Sequence, residues 1–155
     1  MSTLTLSSPV FQQNGHIPAK FTCDGADVNP ALKIENVPPG AKSLALIVDD
    51  PDAPSGIWVH WVVWNLSPDT REIGEHSVPS GALQGLTDFR KRAYGGPCPP
   101  SGTHRYFFKL YALDMTLSLG RDSTKAALEK AMEGHILARS ELTGLYTRRQ
   151  NCRQR

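Results

Sequence analysis

The sequence predicts a mainly β protein, a β-sandwich that carries one late α-helix and a final strand. Two observations support this fold class. Short segments rich in aliphatic, β-branched and aromatic residues alternate with turn residues about every 8 to 12 positions, as in sandwiches built from many short strands. The chain also contains 13 glycines and 12 prolines among its 155 residues. That composition favours a loop-rich β protein over a helical bundle.

Three segments are predicted to form the strongest strands. Residues 43–48 are a continuous apolar run of strand length, which is typical of a strand buried on both faces. Residues 57–66 are aromatic and β-branched, and residues 104–114 have a similar character. Each of the first two segments ends in a turn that contains Asp and Pro. We expect the three segments to pair in one sheet.

Weaker signals surround these strands. Residues 4–11 are predicted to be an edge strand, residues 16–23 a short extended piece, and residues 32–34 a brief strand. Turn residues separate these segments, including Asn-Gly and Asp-Gly pairs. Residues 71–95 are predicted to form a long loop with one short strand near 71–73, because glycine and proline interrupt any period there.

The helix and the final strand are predicted from a change of period. Asp122 or Ser123 is predicted as the N-cap of a helix that runs to Glu133, with alanine, leucine and methionine supplying its apolar positions. Gly134 is predicted to end the helix. Beyond it, residues 135–146 alternate with a period near two, which predicts a last strand.

Composition limits the classes of protein that fit. We expect a single domain over residues 1–148 and a basic C-terminal tail over residues 149–155. The formal net charge of +2 comes from arginines at or near this tail, so the body is not predicted to bind nucleic acid. No apolar run reaches transmembrane length, and the N-terminus does not resemble a signal peptide, so stable membrane insertion is not expected. The sequence permits a homodimer without requiring one.

The three cysteines predict a reducing environment. Cys23, Cys98 and Cys152 are an odd number and include no Cys-x-x-Cys pair. This pattern argues against a disulfide framework and predicts a cytoplasmic protein. Cys98 lies between prolines and has no adjacent cation to lower its thiol pKa, so a passive role is expected.

Polar side chains occur where the strongest strands begin or end. These residues are expected to converge at one end of the sheet: Asp50, Asp52, Trp58, His60, His104 and Tyr106. Buried imidazole, phenol and carboxylate groups are costly unless they satisfy one another or hold a ligand. Imidazolium and phenol groups donate hydrogen bonds, and the rigid loop from Gly96 to Gly102 could add backbone N–H groups. The pattern therefore predicts an anion pocket.

Other interpretations of these residues stay open. The Asp-Pro-Asp segment is also typical of a simple turn, and the tryptophans are typical of a sheet core. A metal- or histidine-dependent hydrolase of small phosphoesters or acyl substrates is the alternative function, with His60, His104 and Asp50 as ligands or as acid and base. No nucleophile-elbow motif and no His-Glu-x-x-His motif occurs, so we expect no enzyme and no cofactor.

Several motifs together resemble one family. Asp50-Pro-Asp-Ala-Pro54, Trp58-Val-His-Trp61 and the segment from Gly96 to Tyr106 are similar to the signature of the phosphatidylethanolamine-binding proteins. The resemblance extends over residues 4–148 and is strongest to the short bacterial branch, often called Raf kinase inhibitor-like proteins. The chain lacks the extended C-terminal helix that covers the pocket in some eukaryotic members.

The resemblance implies an antiparallel β-sandwich with a pocket for phosphate-like groups or phosphoethanolamine head groups. The residues that match the family's pocket are Asp50, His60, Gly96, Pro97, His104 and Tyr106, with Asp52 and Trp58 as its wall. Arg105 lies on the opposite strand face and is expected to pair with a carboxylate or a carbonyl. The resemblance further implies a non-catalytic binding module, and a protein kinase or protease as a possible partner.

Overall fold

The computed structural model describes residues 3–148 and shows two sheets packed face to face. The smaller sheet has the order β1–β3–β6, and the larger has the order β2–β9–β8–β4–β5–β7. Their bounds are β1 Thr5–Ser7, β2 Gly15–His16, β3 Leu32–Glu35, β4 Ser43–Asp50, β5 Trp58–Leu66, β6 Glu72–Ile73, β7 Leu83–Gln84, β8 Thr103–Leu113 and β9 Ile136–Thr147. All strand pairs are antiparallel except β2 with β9. The fold class predicted from the sequence is confirmed.

The main core lies between the two sheets, and β4 forms the centre of the larger one. Every residue of β4 is buried, because β5 and β8 flank it and both of its faces are covered. Leu44, Leu46 and Val48 of this strand belong to the main core. Ala45 and Ile47 point to the opposite face and join a second core. A continuous apolar run was therefore the correct signal for this strand.

The second core is covered by helix α1, Lys125–Met132, which buries Leu128 and Met132 against the larger sheet. Its N-cap is Thr124, whose hydroxyl accepts a hydrogen bond from the backbone N–H of Ala127 at 3.4 Å. The predicted caps, Asp122 and Ser123, precede the helix in a turn. Gly134 follows the helix at φ +81°, the left-handed conformation that favours glycine after a helix end.

The weak edge predictions needed correction. The predicted strand at 4–11 is limited to Thr5–Ser7, and the piece at 16–23 begins at the last residue of β2 and otherwise contains a 3-10 turn at Ala19–Phe21. The predicted loop at 71–95 contains β6, which confirms the short strand predicted near 71–73, and a second short strand, β7, which was not predicted. No α-helix of residues 3–148 is long and apolar enough to cross a membrane. The basic tail predicted at residues 149–155 lies outside the described residues.

A β-bulge in β5 determines where its side chains point. Val48 pairs with Trp61 and Asp49 pairs with Val59, so His60 is an additional residue with no partner on β4. Without a bulge, residues 59 and 61 would share a face. Instead Trp61 packs in the main core while Val59 packs against the second core. His60 points toward the main-core side, where its ring packs against that of Tyr106. Bulges commonly re-aim side chains in this way.

The cysteine prediction was wrong, because Cys23 and Cys98 form a disulfide. The two residues are 75 positions apart, and their proximity arises from a contact between two loops that no local pattern reveals. In this contact the Cys23 backbone N–H donates to the Pro97 carbonyl at 3.1 Å, and the Tyr94 hydroxyl donates to the Phe21 carbonyl at 2.7 Å. The pairing removes the observation on which the cytoplasmic prediction depended.

Candidate functional site

A cavity of about 270 Å³ lies at the end of the larger sheet where β4 stops and where β5 and β8 begin. Its polar lining residues are Asp50, Ser55, His60, His104 and Tyr106. The three strands are neighbours in the sheet, so strand-end residues far apart in sequence meet at one place. The predicted convergence of both histidines, Tyr106 and Asp50 is therefore observed in the structure.

Asp50 and His104 form a buried pair. The His104 Nδ1 lies 2.6 Å from Asp50 Oδ2, and the two residues are 7% and 3% exposed. A carboxylate can only accept, so the proton of this hydrogen bond is on Nδ1 of His104. The other Asp50 oxygen, Oδ1, accepts from the backbone N–H of Asp52 at 2.7 Å. The carboxylate thus fixes the orientation and the tautomer of the imidazole ring.

His60 is held by a backbone carbonyl instead of a carboxylate. Its Nδ1 lies 2.7 Å from the Gly95 carbonyl oxygen, which requires the proton on Nδ1. The ring is 3% exposed and packs edge-on against Phe89 and Tyr106 at centroid distances of 5.2 Å. Burial lowers the pKa of His60, although the Gly95 carbonyl and the Asp50 carboxylate oppose the shift. The neutral ring therefore has a lone pair on Nε2.

The Tyr106 hydroxyl is fully buried and makes no hydrogen bond of normal geometry with any residue of the described chain, although it approaches the Asp50 carboxylate closely enough for that group to raise its pKa. The nearby Asp50 carboxylate already accepts hydrogen bonds from His104 and from the Asp52 N–H. Burial raises the pKa of Tyr106 far above its usual range, and the Asp50 and Asp52 charges raise it further. The phenol therefore stays protonated and can donate. A buried hydroxyl without a partner is uncommon and indicates a position where a ligand can accept.

The rest of the cavity wall is apolar. Trp58 and Phe89 form one side, with ring centroids 5.6 Å apart and nearly perpendicular planes. Pro99, Pro100 and Cys98 form another side. Among residues 3–148, no lysine or arginine lines the cavity. Any positive charge that these lining residues offer an anion must therefore come from an imidazolium.

Three predicted site residues lie outside this lining. Asp52 faces Arg105, which donates from Nε and Nη2 at 2.9 and 2.8 Å, and this pairing lowers the Asp52 pKa to about 2. The Gly96 N–H donates to Asp27 Oδ1 at 2.7 Å, so it is not free for a ligand. A Cβ at Gly96 would lie 2.3 Å from the Phe21 carbonyl oxygen, which explains the glycine. Pro97 is buried and does not line the cavity. The predicted partner for Arg105 is confirmed as a carboxylate.

Sequence reasoning missed part of the wall. Phe89 lies in the segment 71–95, where no periodicity marks a side chain as buried or facing a site. Ala53, Pro54 and Ser55 follow β4 and read as a simple turn. Pro99 and Pro100 belonged to the rigid loop singled out in the sequence, but only the fold shows that they face the cavity. Within residues 3–148, no group of three or more His, Cys, Asp or Glu side chains is arranged to hold a metal ion.

The family comparison agrees with this architecture. The family model described as phosphatidylethanolamine-binding protein matches residues 7–147. The chain belongs to this family. The match includes all strands that surround the cavity.

Relatives and solved structures extend the comparison over almost the whole chain. A UPF0098 protein of Methanothermobacter thermautotrophicus is 48% identical over 150 residues, covering 94% of this chain and 99% of the relative. A UPF0098 protein of Pyrococcus horikoshii is 50% identical, covering 92% and 76%. The crystal structure of a family homologue from Chlamydia trachomatis has a TM-score of 0.91 at 42% identity, covering 96% and 99%. E. coli YbcL, described as a member of the mammalian family, has a TM-score of 0.89 at 29% identity, covering 96% and 100%.

Proposed function

We propose that this protein is a non-catalytic binding module whose cavity holds a phosphate-like anion, such as the phosphate of a phosphoethanolamine head group. The observation that carries the proposal is the buried Tyr106 hydroxyl, which has no partner within residues 3–148 and lies beside two histidines. Leaving a buried hydroxyl without a partner costs about 1–3 kcal/mol. A bound phosphate oxygen would remove that cost.

The charge of the site supports an anion whose affinity depends on pH. His104 is the cavity group best placed to become positive, because its Nδ1–H already donates to Asp50. Protonation would turn its Nε2 into a second donor toward the ligand. We therefore expect phosphate affinity to fall as the pH rises from about 5.5 to 8, the range in which histidine side chains generally lose their charge.

The absence of an activated nucleophile supports binding without catalysis. Ser55 is the hydroxyl nucleophile that lines the cavity, but within the described residues it makes no hydrogen bond to His60 or His104. A serine nucleophile needs a base within hydrogen-bond reach. Cys98 is held in a disulfide, so it has no thiolate.

Isothermal calorimetry with phosphate, phosphoethanolamine and phosphotyrosine at pH 5.5–8 tests this proposal. His104→Ala should weaken phosphate binding by about tenfold or more, because it removes one charge-assisted hydrogen bond. His135→Ala is the matched control, since His135 also contacts a carboxylate, Asp114 at 2.9 Å, but lies on the surface away from the cavity. Affinity that is flat with pH and insensitive to His104→Ala would refute the proposal. Turnover of a phosphoester by the purified protein would refute its non-catalytic part.

The regulatory role that the family resemblance implies is inhibition of a protein kinase or protease. For that role, we propose that the cavity receives a phosphorylated side chain of the target. The phosphotyrosine arm of the calorimetry measures whether such a group is accepted. If phosphotyrosine does not bind while phosphoethanolamine does, this form of the regulatory role is ruled out.

A further inference from the structure

The disulfide between Cys23 and Cys98 is part of the cavity wall, because Cys98 lines the cavity. The two ends of this bond differ in exposure. Cys98 is exposed, although the prolines on both sides of it are buried, whereas Cys23 is half-buried. In thiol–disulfide exchange a thiolate must reach one of the two sulfurs, so access decides which sulfur is attacked. The exposure of the two residues therefore makes Cys98 the end of the bond that an incoming thiolate reaches.

The cavity provides space beside Cys98 for an incoming group. Its volume is about 270 Å³, and most of the residues that share the lining with Cys98 are apolar, among them Pro99 and Pro100. Within the described chain, the carboxylate in this lining is that of Asp50, which is already hydrogen-bonded to His104. A short uncharged group attached to the Cys98 sulfur can therefore be accommodated in the cavity.

The two loops that the disulfide joins have further contacts that do not depend on it. Three hydrogen bonds connect them: from the Cys23 N–H to the Pro97 carbonyl, from the Tyr94 hydroxyl to the Phe21 carbonyl, and from the Gly96 N–H to Asp27. In contrast, residues 98–102 make no hydrogen bond within the described chain. Opening the disulfide therefore leaves Cys23 near its place, while Cys98 can carry a new substituent without the loss of a hydrogen bond.

We propose that Cys98 is a site of reversible modification by low-molecular-weight thiols. The thiolate of such a molecule attacks Sγ of Cys98 and forms a mixed disulfide with it. The bond to Cys23 breaks, and its electron pair leaves with the Cys23 sulfur, which takes up a proton and becomes a thiol. One disulfide replaces another, so the step consumes no oxidant or reductant. The reaction reverses when the Cys23 thiolate attacks Cys98 and expels the small thiol.

The modification itself does not depend on the proposed function, but its consequence concerns the same cavity. Tyr106 and His104 share the cavity lining with Cys98, so a substituent on Cys98 should exclude a phosphate-like ligand. By linkage, a ligand in the cavity should in turn protect Cys98 from attack. Ligand binding would then respond to the small thiols around the protein, and Cys98 would have a role other than the passive one expected from the sequence.

Mapping the modified cysteine by mass spectrometry tests the proposal. The variant Cys152→Ser keeps the disulfide and removes the third cysteine as a competing thiol. It is treated with 2-mercaptoethanol, and the reaction is stopped at intervals with N-ethylmaleimide, which alkylates the released thiol. At early times the mercaptoethanol adduct should be on Cys98 and the maleimide on Cys23, at least about ten times as often as the reverse, because access favours Cys98. An even or reversed distribution, or no mixed disulfide on either residue, would overturn the proposal.

Variants with one remaining cysteine measure the same selectivity without the reverse reaction. Cys23→Ser combined with Cys152→Ser leaves Cys98, and Cys98→Ser combined with Cys152→Ser is the matched control that leaves Cys23. With hydroxyethyl disulfide, Cys98 should be modified at least about tenfold faster than Cys23. Equal rates would contradict the assignment. If either variant does not fold, the mapping on the disulfide-containing protein alone decides.

Calorimetry with phosphate measures the consequence for ligand binding. In the protein that retains Cys98 alone, modification should weaken phosphate binding at least about tenfold, because the adduct occupies the cavity. An adduct on Cys98 that leaves the affinity unchanged would refute this exclusion of the ligand. If the unmodified wild-type protein does not bind phosphate, the proposed function fails, while the mapping still decides the assignment of Cys98.

Discussion

Replacing Tyr106 with phenylalanine should separate the stability of this protein from its affinity. The hydroxyl is buried, so its removal breaks no hydrogen bond of normal geometry among the described residues. We expect the free energy of unfolding without ligand to stay unchanged or to rise by up to about 1 kcal/mol, because an unsatisfied buried polar group is removed. Phosphate affinity should fall by about tenfold or more, since a hydrogen bond to a charged ligand is lost.

Tyr94→Phe is the matched control. Tyr94 is also buried, but its hydroxyl donates to the Phe21 carbonyl at 2.7 Å. Its removal should lower the free energy of unfolding by about 1 kcal/mol, because a buried carbonyl loses its donor. Urea unfolding in phosphate-free buffer and calorimetry with phosphate measure both quantities. The reasoning is refuted if Tyr106→Phe destabilises the protein as much as Tyr94→Phe, or if it leaves phosphate affinity unchanged.

Three further changes test the surroundings of the cavity. Reducing the disulfide between Cys23 and Cys98 should lower the free energy of unfolding by about 2–4 kcal/mol and weaken phosphate binding, because no hydrogen bond of the described chain holds residues 98–102 in the cavity wall. The comparison with and without reductant uses a variant in which the third cysteine is replaced by serine, so that disulfide exchange is excluded. Equal phosphate affinity in the oxidised and reduced proteins would contradict this prediction. Because the pKa of Asp52 is lowered in the folded protein, its ion pair should stabilise the fold above the unfolded pKa of about 4, and this stabilisation should be lost progressively as the pH falls toward about 2. The free energy of unfolding of Asp52→Asn should lack this pH-dependent part. Acid unfolding profiles that are identical for the variant and the wild type would count against the prediction. Asp50→Asn should weaken phosphate binding at pH 6 by about tenfold, because the carboxylate that orients the His104 ring is lost. Calorimetry at that pH measures the change, and undiminished affinity would exclude this role.

The central strands and most of the cavity were predictable because local patterns determine them. The apolar run of β4 and the aromatic run of β5 each indicate a strand, and a polar residue directly after a strand lies at the sheet's end. This reasoning predicts that Asp50, His60, His104 and Tyr106 lie at one end of the sheet. Once neighbouring strands pair, such residues must meet.

The missing parts depend on contacts between segments far apart in sequence. Neither Cys23 nor Cys98 carries a local sign of its partner, and the odd cysteine count pointed away from a disulfide. The sequence predicts that the loop beginning at Gly96 offers free N–H donors, but the Gly96 N–H binds Asp27. Phe89 lies in a segment without periodicity, so its position against His60 follows only from the fold. Local patterns identify strand ends but do not show which loops cover them.

The bulge in β5 also has a consequence for how the fold could diversify. Because His60 is the additional residue, the pairs on either side of it, Val59 with Asp49 and Trp61 with Val48, would form a regular ladder if it were deleted. The alternation of the strand would then need no adjustment, and both cores would keep their side chains. A single-codon deletion could thus remove the neutral acceptor from the cavity while preserving the sandwich. Ligand recognition and architecture are separable in this strand at the level of one residue.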